Sequence, residues 1–345
     1  MIELSTKAYE LPLKHVFTIA RGSSSTRHTL IVSLSAGGQT GYGEATSNMY
    51  YKATIPELTQ DIEGLRGELA GFEFQEPDEL IEGLIPQLAE RLAGKSFALC
   101  ALDLALHDLW GKLRGEPVWK LWGLNKSDAP TSNYTIGIDS IPKMVEKMRE
   151  VADWPLLKIK LGTDEDLEIV RELRRHSDAV FRVDANCGWG AEQTIEYSHE
   201  LKELGVEFIE QPLPAEDTAG AERVFAGSAL PVVADESCVV ESDVAECEGR
   251  FHGINIKLVK CGGLAPARRM VADARARGLK VMAGCMTESS VGISALGQLA
   301  PMLDYVDMDG AALLAEDVAD GVRVVRGKAE YPDRAGSGVE LFKQA

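Results

Sequence analysis

The sequence is short of positive charge: across 345 residues, 36 Lys and Arg face 54 Asp and Glu, a formal net charge of −18. A protein that tracks nucleic-acid phosphates needs a basic stripe to displace counterions, and one that rides on an anionic membrane needs clustered basic residues, so composition argues against both partners. Nowhere does an uninterrupted apolar run reach the roughly 18 residues of a membrane span, and residues 1–7 lack the basic-then-apolar pattern of a secretory leader. Six cysteines (Cys100, Cys187, Cys238, Cys247, Cys261 and Cys285) stand far apart with no Cys-x-x-Cys pair. That spacing fits reduced thiols and a cytoplasmic location better than a disulfide framework or a zinc site. His-Glu-x-x-His, Gly-x-Ser-x-Gly and phosphate-loop patterns are all missing, so hydrolase and nucleotide readings have no positive feature. Gly41-Tyr42-Gly43-Glu44-Ala45-Thr46 begins like a dinucleotide fingerprint, but Thr46 replaces its third glycine and no β/α unit surrounds it; it reads as a turn.

What is present is a globular composition, 45% apolar and 26% charged, with length for one large domain or two. The first 120 residues read as strands near 2–9, 29–34 and 41–44 with a Gly37-Gly38 turn, followed by helical patterns near 55–70, 77–92 and 96–113. Gly115 and Pro117 mark the stop of the last. His107 within it reads as a packed or solvated residue. From about 131 the texture becomes short apolar runs, each followed by a helical pattern. The expected strands are 131–136, 156–160, 180–184, 206–210, 231–235, 254–257, 279–283 and 305–309. Eight strands alternating with seven helices predict an α/β fold whose parallel sheet closes into a barrel. No eighth helix follows residue 310, and the β-like stretch 321–327 is expected to return toward the N-terminal segment.

Charged residues end successive strands: Lys158 and Lys160, then Asp184, Glu210, Asp235 and Lys257, then Asp307 with Asp309. In a β/α barrel, strand C-termini are where chemistry is done. Any one of these charges alone reads as a solvated strand end; six strand ends, five of them in succession and spaced by one β/α unit, do not. Residues two apart on a strand share a face, so Lys158 and Lys160 point together, as do Asp307 and Asp309. Three carboxylates from neighbouring strands make an oxygen-only site suited to a hard divalent cation, most often Mg²⁺. Lysines flank the triad on both sides, and neighbouring positive charge with desolvation makes a lysine easier to deprotonate.

The runs Leu157-Lys158-Ile159-Lys160, Asp184-Ala185-Asn186, Glu210-Gln211-Pro212, Ala234-Asp235-Glu236-Ser237 and Asn255-Ile256-Lys257 resemble the enolase superfamily, in particular its muconate-lactonizing-enzyme subgroup. The resemblance covers nearly the whole chain. It implies a (β/α)7β modified TIM barrel over 126–319, under an α+β capping domain of residues 1–125 to which 320–345 return. It also implies Mg²⁺ on Asp184, Glu210 and Asp235, Lys160 and Lys257 as opposed acid/base groups, Lys158 as a charge stabiliser, and a homo-oligomer.

Within that subgroup, Asp307-Met308-Asp309-Gly310 is similar to the Asp-x-Asp that dipeptide epimerases carry at the eighth strand, where the carboxylates bind the dipeptide's α-ammonium. A buried ammonium needs anionic acceptors, and two carboxylates supply them. Phe17-Thr18-Ile19-Ala20-Arg21-Gly22-Ser23 and Gly284-Cys285-Met286 resemble the corresponding segments of bacterial L-Ala-D/L-Glu epimerases. This implies substrate contacts for Cys285 and Met286, with Arg21 pairing with an acidic side chain on the second residue. The implied reaction inverts the second residue of a small dipeptide by 1,1-proton transfer between Lys160 and Lys257 through an enediolate. The substrates of o-succinylbenzoate synthases and N-acylamino acid racemases offer no ammonium at that end, which leaves Asp307 and Asp309 unexplained. A barrel that only binds would be expected to have lost a lysine or a ligand, and all are present.

Overall fold

The structure is a computed structural model that describes residues 1–343. The chain begins with an antiparallel meander of β1 (Glu3–Ile19), β2 (Gly22–Ala36) and β3 (Gln39–Thr46). Apolar Leu30, Val32 and Leu34 are buried along β2, and the Gly37-Gly38 turn takes left-handed φ values of 58° and 76°, which glycine adopts without strain. The first two strands are much longer than their alternating patterns predict. Pairing shifts register between Pro12 and Phe17, where Pro12 has no N–H to give, and continues to Ile19 opposite Gly22. Ala20 and Arg21 thereby form a hairpin tip. Gly41 and Gly43 make neither a nucleotide loop nor a turn; they lie within β3, pressed against the helix Ser96–Arg114. A Cβ at position 43 would stand 1.9 Å from Ala101 O.

The pattern at 55–70 divides at Gly64 into helices Ile55–Glu63 and Arg66–Gly71. The pattern at 77–92 opens as a wide π turn, Leu80–Leu84, before the helix Ile85–Arg91. Pro86 at that junction cannot donate a backbone hydrogen bond, and the wide turn absorbs the defect. Helix Ser96–Arg114 ends at Gly115 in the left-handed conformation, as expected. His107 is packed inside it, its Nδ1 2.8 Å from Asp103 O.

Eight parallel strands follow: β4 (Tyr134–Ile136), β5 (Leu156–Lys160), β6 (Val180–Asp184), β7 (Val206–Glu210), β8 (Val232–Ala234), β9 (Gly253–Lys257), β10 (Lys280–Gly284) and β11 (Tyr305–Asp307). They are ordered sequentially, and a parallel bridge from Ser132 to Val306 closes the barrel. Helices alternate with them up to Ser290–Leu299; after β11 there is only the 3₁₀ turn Gly310–Leu313. The last strand therefore stops at Asp307, two residues before its expected end. In the tail, β12 (Ala319–Asp320) pairs with β15 (Glu340–Leu341) and β13 (Arg323–Val325) with β14 (Lys328–Glu330). Among the described residues no tail strand joins the N-terminal sheet. The return runs through residues 336–339 instead: Ser337 donates to Asp108 Oδ1, and Val118 N donates to Gly336 O. One apolar core runs from the N-terminal sheet through Leu102 and Leu106 into the barrel helices at Met270 and Leu296. That continuity fixes the N-terminal sheet over one side of the barrel mouth. Among the described residues no helix is long and apolar enough to cross a membrane.

Candidate active site

Strand register sets the site. Lys160 pairs with Asp184 and Asp184 with Glu210, while Lys257 pairs with Gly284 and Gly284 with Asp307, so the charges stand at one level at the C-terminal mouth. Asp184, Glu210 and Asp235 are fully buried, with one oxygen of each lying within 4.8 Å of the others. Asn186 N donates to Asp184 Oδ1 at 2.9 Å, and Asn255 Nδ2 donates to Glu210 Oε1 at 2.8 Å. Burial, with the charge of Asp184, pushes the Glu210 carboxyl up to about 7. The donor set is three crowded oxygen ligands, which fits a hard divalent cation.

All three predicted lysines reach this cluster. Lys160 Nζ lies 2.5 Å from Asp184 Oδ2, and Lys257 Nζ 2.6 Å from Asp235 Oδ2. Lys158 Nζ sits between the triad and strand eight, 2.7 Å from Glu210 Oε2 and 2.8 Å from Asp307 Oδ2. The Glu210 contact lacks hydrogen-bond alignment, leaving that buried oxygen without a donor. Proximity to positive charge is expected to ease deprotonation; here carboxylates decide instead. Burial presses Lys257 toward neutrality, but Asp235 and Glu210 outweigh it and hold the ammonium above its ordinary range. The same holds for Lys158, where Asp307 leads the carboxylates that oppose burial.

Asp307 and Asp309 are both buried and come together with Cys285 Sγ. Strand alternation is not the reason, because Asp309 lies beyond the strand. Its Oδ2 accepts from Thr135 N at 2.5 Å, which turns the carboxyl back toward the mouth. Asp307 Oδ1 accepts from Asn133 Nδ2 at 2.7 Å, and Lys158 depresses its pKa against the effect of burial. Burial and the adjacent Asp307 charge raise the Asp309 pKa. One of the pair is therefore charged and the other biased toward its neutral form.

Lys158, Lys160, Lys257, Asp307 and Asp309 floor a cavity of about 720 Å³ whose roof comes from the β1–β2 hairpin and the segment 46–51. Cys285 and Met286 line it, as predicted, and so does Arg21. Arg21 is already engaged: it donates to Glu236 Oε1 at 2.6 Å and to Asn186 O at 3.2 Å, and stacks on Tyr50 with 4.5 Å to the ring centroid. The Cys261-Gly262-Gly263 turn is not part of the lining; Gly263 packs against Asp103 of the N-terminal helix.

Three supporting residues escaped the charge pattern. Lys260 is fully buried and donates to both Asp235 Oδ1, at 2.6 Å, and Asp235 O. Gln211 Oε1 accepts from the backbone N–H groups of Asp235 and Ser237, fixing the loop that carries Asp235. Asn255, two residues before Lys257 on β9, shares its face and was legible by strand alternation. Nothing local marks Lys260, because the short helix Leu258–Cys261 that turns it under the site follows no periodic pattern.

Comparison with known proteins agrees with this geometry. Residues 1–123 match the mandelate racemase/muconate lactonizing enzyme N-terminal domain, and residues 143–345 match the enolase C-terminal domain-like family. The chain is 56% identical to an L-Ala-D/L-amino acid epimerase of Maribacter sp., over 99% of each chain. It is 42% identical to the L-Ala-D/L-Glu epimerase of Bacteroides thetaiotaomicron, over 96% of this chain and 86% of the other. A crystal structure of the Methylococcus capsulatus dipeptide epimerase complexed with Mg and L-Arg-D-Lys superposes with a TM-score of 0.89 at 32% identity, covering 99% of both chains. With both domain families matched and end-to-end likeness to epimerases, the chain belongs to the mandelate racemase/muconate lactonizing enzyme family of the enolase superfamily, and is an isomerase.

Proposed function

We propose that this protein is a Mg²⁺-dependent dipeptide epimerase that inverts the α-carbon of the second residue of an L-Ala-Xaa dipeptide, L-Ala-D/L-Glu among them. One observation carries the reading: Lys160 and Lys257 line a single cavity from opposite sides of a buried carboxylate triad, and the Asp307–Asp309 pair stands at its other end. The relatives' names support the dipeptide and its N-terminal alanine.

Asp184, Glu210 and Asp235 would hold the Mg²⁺, whose Lewis acidity supplies charge stabilisation at the substrate carboxylate. Lys158, fixed between the triad and Asp307, adds positive charge that needs no reorganisation during the reaction. Lys160 Nζ removes the α-proton from one face and Lys257 Nζ returns a proton to the other, or the reverse for the opposite isomer. A lysine must be neutral before it accepts a proton, and the carboxylates that hold Lys257 charged are the oxygens the cation would share. Asp307 and Asp309 accept hydrogen bonds from the dipeptide ammonium. Arg21, balanced by Glu236, brings hydrogen bonds to the second residue but little net charge. The same reading takes 1–125 with 320–345 as a cap on the 126–319 barrel, and places a homo-oligomer in the cytoplasm, where its free thiols stay reduced.

The test is α-proton exchange in D₂O with Mg²⁺, followed by mass spectrometry and chiral analysis of L-Ala-L-Glu and L-Ala-D-Glu. The wild type should exchange and epimerise both. Lys160→Ala and Lys257→Ala should each abolish epimerisation while one isomer still exchanges. Epimerisation by Lys257→Ala at the wild-type rate would show the two-base assignment to be wrong.

A further inference from the structure

The cavity roof holds a second arginine that the mechanism above does not use. Arg27 on β2 lines the cavity, and unlike that of Arg21 its side chain has no ion pair and no hydrogen bond among the described residues. Its Nε is buried without an acceptor. Burial alone moves its pKa, downward; no carboxylate stands close enough to restore it. The residue is half-buried, and the Nε–H that burial shuts off from water gains no acceptor in return, which is costly. A site of this kind is relieved by an anionic ligand, and a carboxylate matches the planar fork of the guanidinium.

The backbone places Arg27 along the rim. Arg27 pairs with Leu11, which is fully buried, so both side chains lie on the inward face of the hairpin. The next residues of β1 are fastened to the segment after β11: Ala315 N donates to Pro12 O at 2.8 Å, and Leu13 bridges Leu314. On the other side, Ser47 N donates to His28 O, and Asn48 Nδ2 contacts Met286 Sδ at 3.7 Å. Arg27 therefore stands on the side of strands ten and eleven, above Met286 and Leu313. Arg21 stands on the opposite side, held at Asn186 and Glu236.

We propose that Arg27 is an anion subsite of the dipeptide cavity that takes a side-chain carboxylate of the substrate. Resting on the epimerase reading, in which the first residue's ammonium meets Asp307 and Asp309 on the same side, this adds dipeptides led by Glu or Asp to the substrate range. The α-carboxylate is already assigned to the triad, so only a side chain can supply the anion.

The experiment compares kcat/KM for Glu-Ala against Gln-Ala, and for Ala-Glu against Ala-Gln, in the wild type, Arg27→Met and Arg27→Lys, with folding checked by thermal melts. The wild type should prefer Glu-Ala over Gln-Ala by about tenfold to a hundredfold, the range of one charge-assisted pair. Arg27→Met should bring the ratio near one, and Arg27→Lys should keep part of it. If only the Ala-Glu ratio collapses, the subsite stands and its occupant is the second residue. If neither ratio changes in Arg27→Met, the subsite is refuted. If the wild type turns over no dipeptide, the epimerase reading fails. Calorimetric titration of Glu-Ala with Mg²⁺ still decides the subsite: tighter binding to wild type than to Arg27→Met upholds it, and equal binding overturns it.

Discussion

Lys260 and Asp235 form an ion pair sealed from solvent, Nζ to Oδ1 at 2.6 Å, while Lys257 occupies the other oxygen of the same carboxylate. Two ammonium groups thus hold one carboxylate of the triad, one at each oxygen. Lys257 lies in the cavity lining, whereas Lys260 does not and is fully buried.

Lys260→Met should weaken metal binding by about tenfold to a hundredfold, the usual loss when a group that orients a ligand is removed. It should also destabilise the fold, by less than the ~3–5 kcal/mol of a fully broken buried pair, because the carboxylate loses one of its two cationic partners and keeps Lys257. Calorimetric Mn²⁺ titration and chemical denaturation read the two effects separately. An unchanged metal affinity would refute the orienting role.

Saturating Mg²⁺ should raise the melting temperature. At 100 times its dissociation constant a ligand specific to the native state adds about 2.7 kcal/mol. Asp184→Asn keeps the side chain's size and removes a charged ligand, so its melting temperature should respond far less to the metal. An equal response in both proteins would place the metal elsewhere.

Glu44 of β3 and Glu288 of the barrel converge at the start of helix Ser290–Leu299, where a Cβ on Gly292 would lie 2.2 Å from Glu288 Oε2 and 3.2 Å from Glu44 Oε2. Burial, then the Glu44 charge, pushes the Glu288 carboxyl up to about 8. The folded state thus holds a proton that the unfolded chain releases near 4.5. Its contribution to stability is complete below pH 4.5 and is lost as pH rises through about 8. Glu288→Gln should flatten the fall in melting temperature between those limits; a variant with the wild-type slope would contradict the assignment.

Gly43→Ala should destabilise the N-terminal sheet by about 1–3 kcal/mol or more, since the added methyl meets the backbone at Ala101 and no side chain can move aside. Gly67→Ala, with open space around its Cβ position, is the control and should differ little. Melting curves of the two variants give the comparison.

Most of the barrel and its carboxylate triad was legible in the sequence, because parallel strands buried on both faces are written as short apolar runs and a charge at a strand end marks the mouth. Lys158, Lys160, Asp184, Glu210, Asp235 and Lys257 could be placed from spacing alone, since register puts strand ends at one level. Other features depend on contacts between residues far apart in the chain. Asp309 faces the cavity because Thr135, 174 positions away, donates to it, not because of strand alternation. That Lys158 and Lys257 are held charged follows from which carboxylates surround them, a quantity no local pattern carries. Arg21 and Arg27 look alike in the sequence, six residues apart on one hairpin. Only the folded chain, by giving Glu236 to one and no carboxylate to the other, makes the first a balanced strut and the second an open charge.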